Sequence, residues 1–443
     1  MPDAASRSAR LFARAQEFLP GGVSRNTLLY DGPMLYASYA KGCRVVDVDG
    51  RERIDFANNV ASHIHGHAYP PIVEAVSEQI GRGTGFTMAT EIEIDFAELL
   101  CGRSDSFDKI RFVNSGTEAV MAGMKAARAY TGRSKIAKVE GGYHGAYDYA
   151  EVSQAPSPEN WGAADCPAAV PLAKGTPRGL VDDTIVIPYN DTEVALKILN
   201  RHAHEIAAVV IDPLPHRVCM VPASGNFVNA LRRWTIENHA LLIFDEVITF
   251  RSEVGGMQAH YEVRPDLTAM GKMIGGGFPV GALAGVNDVM QVFVSGEYGV
   301  PLPLSGTFSA NPVTMTAGYT ALRYFGPSEV AKLNELGDYA RKNLTELFRT
   351  LDIPVCVTGI GSLFRVHLKP EPPKNFRETF QAPAEKAVVG AIVRSLYEEG
   401  FMMIHTCSAA LSTPMTRLEI DMLVDALNRI LKSLRPRILE VAA

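Results

Sequence analysis

Residues 206–247 read IAAVVIDPLPHRVCMVPASGNFVNALRRWTIENHALLIFDEV, and this stretch decides the fold. Ile206–Ile211 and Leu241–Phe244 are unbroken apolar runs, without the polar alternation of a half-exposed strand. Between them FVNALRRWTIENH carries its apolar residues at helical spacing. A short apolar strand, an amphipathic helix and a second apolar strand imply neighbouring parallel strands buried on both faces.

The same alternation extends outward. KIRFVNS, from Lys109, runs into the helical text GTEAVMAGMKAARAYTG, and SKIAKVEGGYHG follows. DDTIVIPYND precedes TEVALKILNRHA. The fold class is therefore α/β, a mostly parallel sheet with helices on both faces. Upstream, Leu11, Phe12, Ala15 and Phe18 predict an amphipathic helix stopped by Pro20-Gly21-Gly22. A hairpin is expected between Lys41 and Asn58 around Asp49-Gly50, with helices over IVEAVSEQIGRG and TEIEIDFAELLCGR. From about Phe325 the text turns helix-rich, with the short strands PVCVT and SLFRVHL. We expect a large α/β domain over 71–324 and a smaller α+β layer from 1–70 and 325–443. Ser153–Arg178, rich in Pro, Ala and Gly, lacks either period and reads as a lid or mobile segment.

Composition limits the function classes. A net charge of -6 supplies no basic field for nucleic acid or an anionic membrane. The six cysteines are dispersed without a C-x-x-C pair, which suits a reducing cytosol rather than a disulfide framework. The N-terminal text has no continuous apolar segment of a secretory signal, and no run is long enough to span a bilayer. A cytoplasmic protein is expected.

The chemistry gathers at the expected strand ends, where ligands sit in doubly wound sheets. Ser115-Gly116-Thr117 stands between a strand and a helix, as a phosphate cradle or a plain N-cap. Asp245-Glu246 closes the strand LLIF, as a ligand group or a turn cap; a buried carboxylate needs a cationic partner, and none is adjacent in sequence. Gly141–Gly145 brings Tyr143 and His144 to a third strand end, where an aromatic can cover a planar ligand. Lys272 lies in the apolar, glycine-crowded GKMIGGGFPVG; burial there lowers an amine's pKa and frees it to attack carbonyls. The glycines match neither G-x-x-x-x-G-K-[ST] nor G-x-G-x-x-G after a strand. A phosphate cradle, a carboxylate, an aromatic and a buried lysine together describe a site for pyridoxal 5'-phosphate.

With these residues in view, the sequence resembles the class III aminotransferases of fold type I, in the branch of glutamate-1-semialdehyde aminomutases and β-amino-acid transaminases. The resemblance covers nearly the whole chain, through VDVDGRERIDF, RFVNSGTEAVM, EGGYHG, LLIFDEV, PDLTAMGKMIGGGFPVGALAG and SGTFSANPVTMTAG. It implies a large domain with a seven-stranded, mostly parallel sheet. It also implies that Ser115, Gly116 and Thr117 hold the phosphate, that Tyr143 and Val247 cover the two ring faces, and that His144 belongs to the cofactor site. Asp245 would bind the pyridine nitrogen and Lys272 would be the Schiff-base lysine. Thr307 would reach the phosphate of a partner subunit's cofactor, so a homodimer is implied.

Departures bear on the substrate. The aminomutases carry a glutamate in the C-terminal segment, where this chain reads MMIHTCSAALSTP without a carboxylate, which argues against a mutase. SRNTLLY resembles the β-amino-acid transaminases, in which an arginine placed like Arg25 grips the substrate carboxylate; the other reading is a surface loop arginine. A second arginine of those relatives is replaced at His405. Where the family has Glu-Pro-Val, this chain has Asp212, then His216 and Arg217. Arg217 either approaches the ring oxygen or turns outward to pair with an acid. His63, His65 and His67 lack the acid or cysteine set of a metal site, and read as structural or pocket-lining, with His65 a substrate-side candidate. The expected activity is transamination between an amino-acid donor, β-amino acids included, and a keto-acid acceptor. A mutase, a racemase and a non-enzymatic protein of the same fold are the alternatives.

Overall fold

The two apolar runs form adjacent strands of a seven-stranded sheet. In chain order its strands are β1 (Lys109–Val113), β2 (Lys135–Val139), β3 (Thr184–Ile187), β4 (Ile206–Ile211), β5 (Leu241–Asp245), β6 (Leu267–Gly271) and β7 (Gly281–Gly285). They lie side by side in the order β1-β7-β6-β5-β4-β2-β3. The pairs from β6 through β3 are parallel, and β7 runs antiparallel to both β6 and β1. The computed structural model describes residues 6–25, 34–297 and 299–442.

Both faces of the sheet are covered, which explains the unbroken apolar runs. On one face Val210, Ile243 and Leu283 join Ala119, Ala122 and Met124 of the helix Gly116–Thr131. On the other, Val209, Ile211, Leu242 and Phe244 join Phe227, Leu231 and Trp234 of the helix Gly225–Glu237. Each such large side chain stabilises the fold by roughly 1.5–3 kcal/mol. Strand β7, GALAG, has no strand signature in its residues. It forms because little else fits: a Cβ on Gly281 would lie 2.0 Å from the carbonyl oxygen of Ser115.

The smaller sheets join distant parts of the chain. Ala37–Lys41, Arg44–Asp47 and Glu52–Asp55 form an antiparallel meander, and Phe401–Met402 adds to its edge in parallel with Glu52–Asp55. Cys356–Thr358, Leu363–His367 and Ser408–Ala410 make a second antiparallel sheet. The expected hairpin turn at Asp49-Gly50 and the helix Arg7–Phe18 are both present.

The Ser153–Arg178 segment is not a free lid. It folds into a small hairpin of Gly162–Ala163 with Cys166–Pro167. Arg377 clamps it, donating to the main-chain oxygens of Trp161 and Gly162 and lying 4.9 Å from the Trp161 ring centre. The same guanidinium grips the buried Glu140 carboxylate through two bonds of 2.8 and 2.9 Å. Periodicity could not reveal a segment held by a side chain some 200 residues away.

One turn is strained. Asn58, Asn59, Val60 and Ala61 all have left-handed backbone, with φ of 51, 45, 56 and 67°. Outside glycine this costs about 1–2 kcal/mol per residue, most at β-branched positions such as Val60. The surroundings enforce it. The Asp55 carboxylate accepts from the Asn58 N–H at 2.8 Å, and the Asn58 amide donates to Leu411 O at 3.4 Å. Arg251, fully buried, donates to Ala61 O at 3.2 Å, to Ser362 Oγ at 2.9 Å and to Leu411 O.

Candidate active site

A cavity of about 370 Å³ opens at the carboxyl rim of the sheet. Ser115–Thr117 enter it after β1, Tyr143–Gly145 after β2, Asp212 after β4, Asp245 from the end of β5 and Lys272 after β6. Because β7 runs the other way, the loop leading into it, Gly277–Val280, lines the same rim. The rim thus brings together residues as far apart as Ser115 and Val280 in a chain whose strands otherwise point one way.

Ser115 is both an N-cap and a cavity residue. Its hydroxyl accepts from the Glu118 N–H at 3.1 Å, and the Glu118 carboxylate accepts from the Asn114 N–H at 2.8 Å. The first amides of this 16-residue helix have no acceptor within it and favour an anion. Gly116 permits close approach from the other side, since a Cβ there would lie 2.8 Å from the Val247 methyls.

The partner of Asp245 is His144, a hydrogen-bond donor rather than the cation expected. Its Nδ1 lies 2.8 Å from Asp245 Oδ2, while Oδ1 accepts from the Val247 N–H at 3.1 Å. Burial holds the His144 pKa below its usual value, so the neutral ring donates Nδ1–H and its buried Nε2 has no partner. Glu246, the second half of the pair, points elsewhere. It is fully buried and accepts from the N–H groups of Met257 (2.7 Å) and Gln258 (3.0 Å) and from the Thr249 hydroxyl (3.2 Å). Asp245 faces the cavity, and Glu246 anchors the following loop.

Lys272 has a left-handed backbone (φ 49°) and its pKa is lowered. Desolvation is the main cause, opposed by the Asp245 and Asp212 carboxylates and assisted by the Arg25 charge. Asp212 accepts from the Leu214 N–H at 2.9 Å; burial and the neighbouring Asp245 charge push its pKa well above the carboxylate range. The cavity thus holds one hydrogen-bonded carboxylate, one protonation-prone carboxyl and an amine biased toward neutrality.

The substrate-side expectations fare less evenly. Arg25 donates to the Asn59 side-chain oxygen at 2.8 Å, and Asn59 lines the cavity; residues 26–30 of the SRNTLLY motif lie outside the described residues. The Arg217 guanidinium lies 4.4 Å from the Tyr143 ring centre, a cation–π contact. His65 lies outside the cavity lining. Its ring nitrogens bond Thr413 Oγ1 (3.0 Å) and Ala321 O (2.9 Å), and it stacks on Tyr69, because a buried ring must satisfy both nitrogens. His67 bonds Asp55 at 2.8 Å. His405 is exposed and outside the lining, with its pKa lowered by burial of the ring and by the Arg217 and Arg365 charges. Thr307 is exposed beside Phe308 and does not line this chain's own cavity.

The sequence reading passed over Asn59, Ser62, Asn114 and Phe278, all of which line the cavity. Only the Asn58-Asn59 pair offered a signal, since asparagine tolerates left-handed backbone.

Among known proteins, the family model described as aminotransferase class-III matches residues 30–431. A glutamate-1-semialdehyde 2,1-aminomutase of Methanothermobacter thermautotrophicus is 40% identical over 84% of this chain and 86% of its own. The crystal structure of an omega-transaminase from Sphaerobacter thermophilus superposes with a TM-score of 0.93 at 45% identity, covering 98% of this chain and 99% of that one. That of a β-phenylalanine aminotransferase from Variovorax paradoxus superposes with a TM-score of 0.87 at 32% identity, covering 98% and 95%.

Proposed function

The chain belongs to the class III aminotransferases, pyridoxal 5'-phosphate enzymes of fold type I, and on that footing we propose that it transfers an amino group from a carboxylated amino donor, β-amino acids included, to a keto acid. The observation that carries this reading is a half-buried, pKa-lowered Lys272 in one cavity with the His144–Asp245 pair and a helix N-terminus.

The residues present fit the cofactor. The amides at Gly116 and Thr117, with the Thr117 hydroxyl, supply donors for its phosphate, and the glycine at 116 leaves room that a Cβ would fill. Asp245 offers a carboxylate to the protonated ring nitrogen, oriented by the His144 Nδ1–H. Tyr143 and Val247 would cover the ring. When bound, the cofactor supplies an electron sink for a substrate carbon that loses its proton.

The chain's own part is positioning and proton transfer. Lys272, neutral at lower pH than an ordinary lysine, would hold the cofactor through its Nζ. Once displaced by a donor amine, the same Nζ would be the base that accepts and returns the proton of the substrate carbon. Arg25, at the cavity edge, binds the donor carboxylate bidentately. Asp212, the only cavity-lining carboxyl besides Asp245 among the described residues, is placed to donate a hydrogen bond as the neutral acid.

A second reading, intramolecular amino transfer, is favoured by the aminomutase names among the relatives. Spectra distinguish the two. With the cofactor supplied, a donor alone should bleach the lysine-bound absorbance band, and a keto acid should restore it. No response to any α-, β- or ω-amino donor would overturn transamination. Turnover of a vicinal amino-aldehyde without an acceptor would favour the mutase.

We further take the active form to be a homodimer in which Thr307 reaches the partner's cofactor phosphate. In support, Thr307 lies outside its own cavity and Phe308 beside it is 67% exposed. Light scattering coupled to gel filtration tests this. None of the six cysteines is paired, which fits a reducing cytoplasm, and no helix among the described residues is long and apolar enough to cross a membrane.

A further inference from the structure

The left-handed turn has no part in the chemistry described above, yet it forms a wall of the cavity and touches Arg25. We propose that Asn59 is a positioning residue that sets the substrate class. Its amide holds the Arg25 guanidinium at the cavity as an unneutralised cation, which selects amino donors bearing a carboxylate. The inference rests on the transamination reading of this site.

Four consecutive non-glycine residues in left-handed backbone are not maintained by local preference. Asp55, Arg251 and the Leu411 carbonyl hold the turn from both ends, so Asn59 is fixed before any ligand arrives. Its own side chain is locked as well. The amide nitrogen donates to Ser62 Oγ at 2.9 Å, and that hydroxyl donates back to Asn59 O at 3.0 Å. With the nitrogen so engaged, the amide oxygen is left to accept from Arg25 Nη1 at 2.8 Å. Both Asn59 and Ser62 line the cavity.

The identity of the acceptor decides the function. An aspartate here would orient Arg25 equally well and cancel its charge. The asparagine orients it and leaves the full positive charge, which is felt at Lys272. Among the described residues no ion pair joins Arg25 to a carboxylate, and a guanidinium, with five N–H donors, can take a bidentate anion beside its bond to Asn59. A donor without a carboxylate gains nothing from this arrangement.

The test uses holoenzyme and two donors that share the same amine-bearing carbon, one with and one without a carboxylate. Asn59→Asp should raise KM for the carboxylated donor about tenfold or more and leave kcat/KM for the plain amine within about twofold. Asn59→Ala, which loosens Arg25 without neutralising it, should raise that KM about threefold. Val60→Gly, which relaxes the backbone and spares the amide, should change neither donor more than about twofold. Equal losses for both donors, or an Asn59→Asp enzyme with unchanged KM, would overturn the proposal. Binding of an unreactive short-chain carboxylate, followed by calorimetry, adds a readout independent of turnover. Weakening there by about tenfold in Asn59→Asp, with no half-reaction in the wild type, would sink transamination and leave the role of Asn59 standing.

Discussion

Glu246→Gln removes the titrating carboxyl that anchors the loop behind the rim, at the cost of one accepting oxygen. Burial pushes the Glu246 carboxyl up to about 7 from its usual 4.5, against the lowering effect of the Met257 and Gln258 amides. In the unfolded chain the carboxyl loses its proton near 4.5, and in the folded protein it keeps it to about 7. Between those values the folded state binds one more proton than the unfolded state, so stability falls as pH rises, by about 1.4 kcal/mol per unit. Over the window the loss accumulates to about 3 kcal/mol, and above pH 7 it is constant. Glutamine has no such term. The experiment is urea denaturation of both proteins in parallel from pH 5 to 8, reading the difference in stability, in which all shared groups cancel. The wild type should hold most of its advantage near pH 5 and lose about 2 kcal/mol of it by pH 7.5. A difference independent of pH would refute the account of Glu246 as a buried, loop-anchoring acid.

Other outcomes follow from the same geometry. Lys272→Ala should abolish borohydride fixation of the cofactor, and in the wild type the pH midpoint for trapping carbonyl probes should fall below the ordinary lysine value of 10.5. Arg251→Met should destabilise the protein by about 3–5 kcal/mol in urea melts, since it strips the donor from two buried carbonyls and releases the strained turn. Arg377→Ala leaves Glu140 buried without its partner; stability should drop by about 3 kcal/mol or more, and limited proteolysis should cut within 155–178. Gly281→Ala drives a Cβ toward Ser115 O, and cofactor affinity measured by absorbance titration should fall with stability.

The sheet was legible because its strands are buried on both faces, and burial writes itself as IAAVVI and ALLIF. The antiparallel β7 was not, since GALAG is selected by the space beneath Ser115 rather than by strand preference. At the site, the positions of Ser115, Asp245 and Lys272 followed from strand ends, where a chain reading can locate chemistry. The partner of Asp245 could not be found nearby because His144 comes from another strand, 101 residues away. The partners of His65 were hidden for a related reason: a histidine beside polar and apolar neighbours looks the same in sequence whether or not its ring nitrogens bond residues such as Thr413 and Ala321. Asn59 left only the faint signal of an asparagine pair, because its importance lies in a backbone conformation imposed from the far end of the chain.

That last dependence bears on how the protein is made. All seven strands of the large sheet lie between Lys109 and Gly285, and they can pair while synthesis is still under way. The left-handed turn cannot be held so early. Asn58 and the Leu411 carbonyl that restrains it are 353 residues apart, and Arg251 reaches the turn and Leu411 together. Until Leu411 leaves the ribosome, Asn58–Ala61 should relax to ordinary backbone and the cavity should lack one wall. A nascent chain halted before residue 401 would therefore carry Lys272 on a finished sheet yet have no means of holding a carboxylate beside it, so substrate recognition is among the last properties the growing polypeptide acquires.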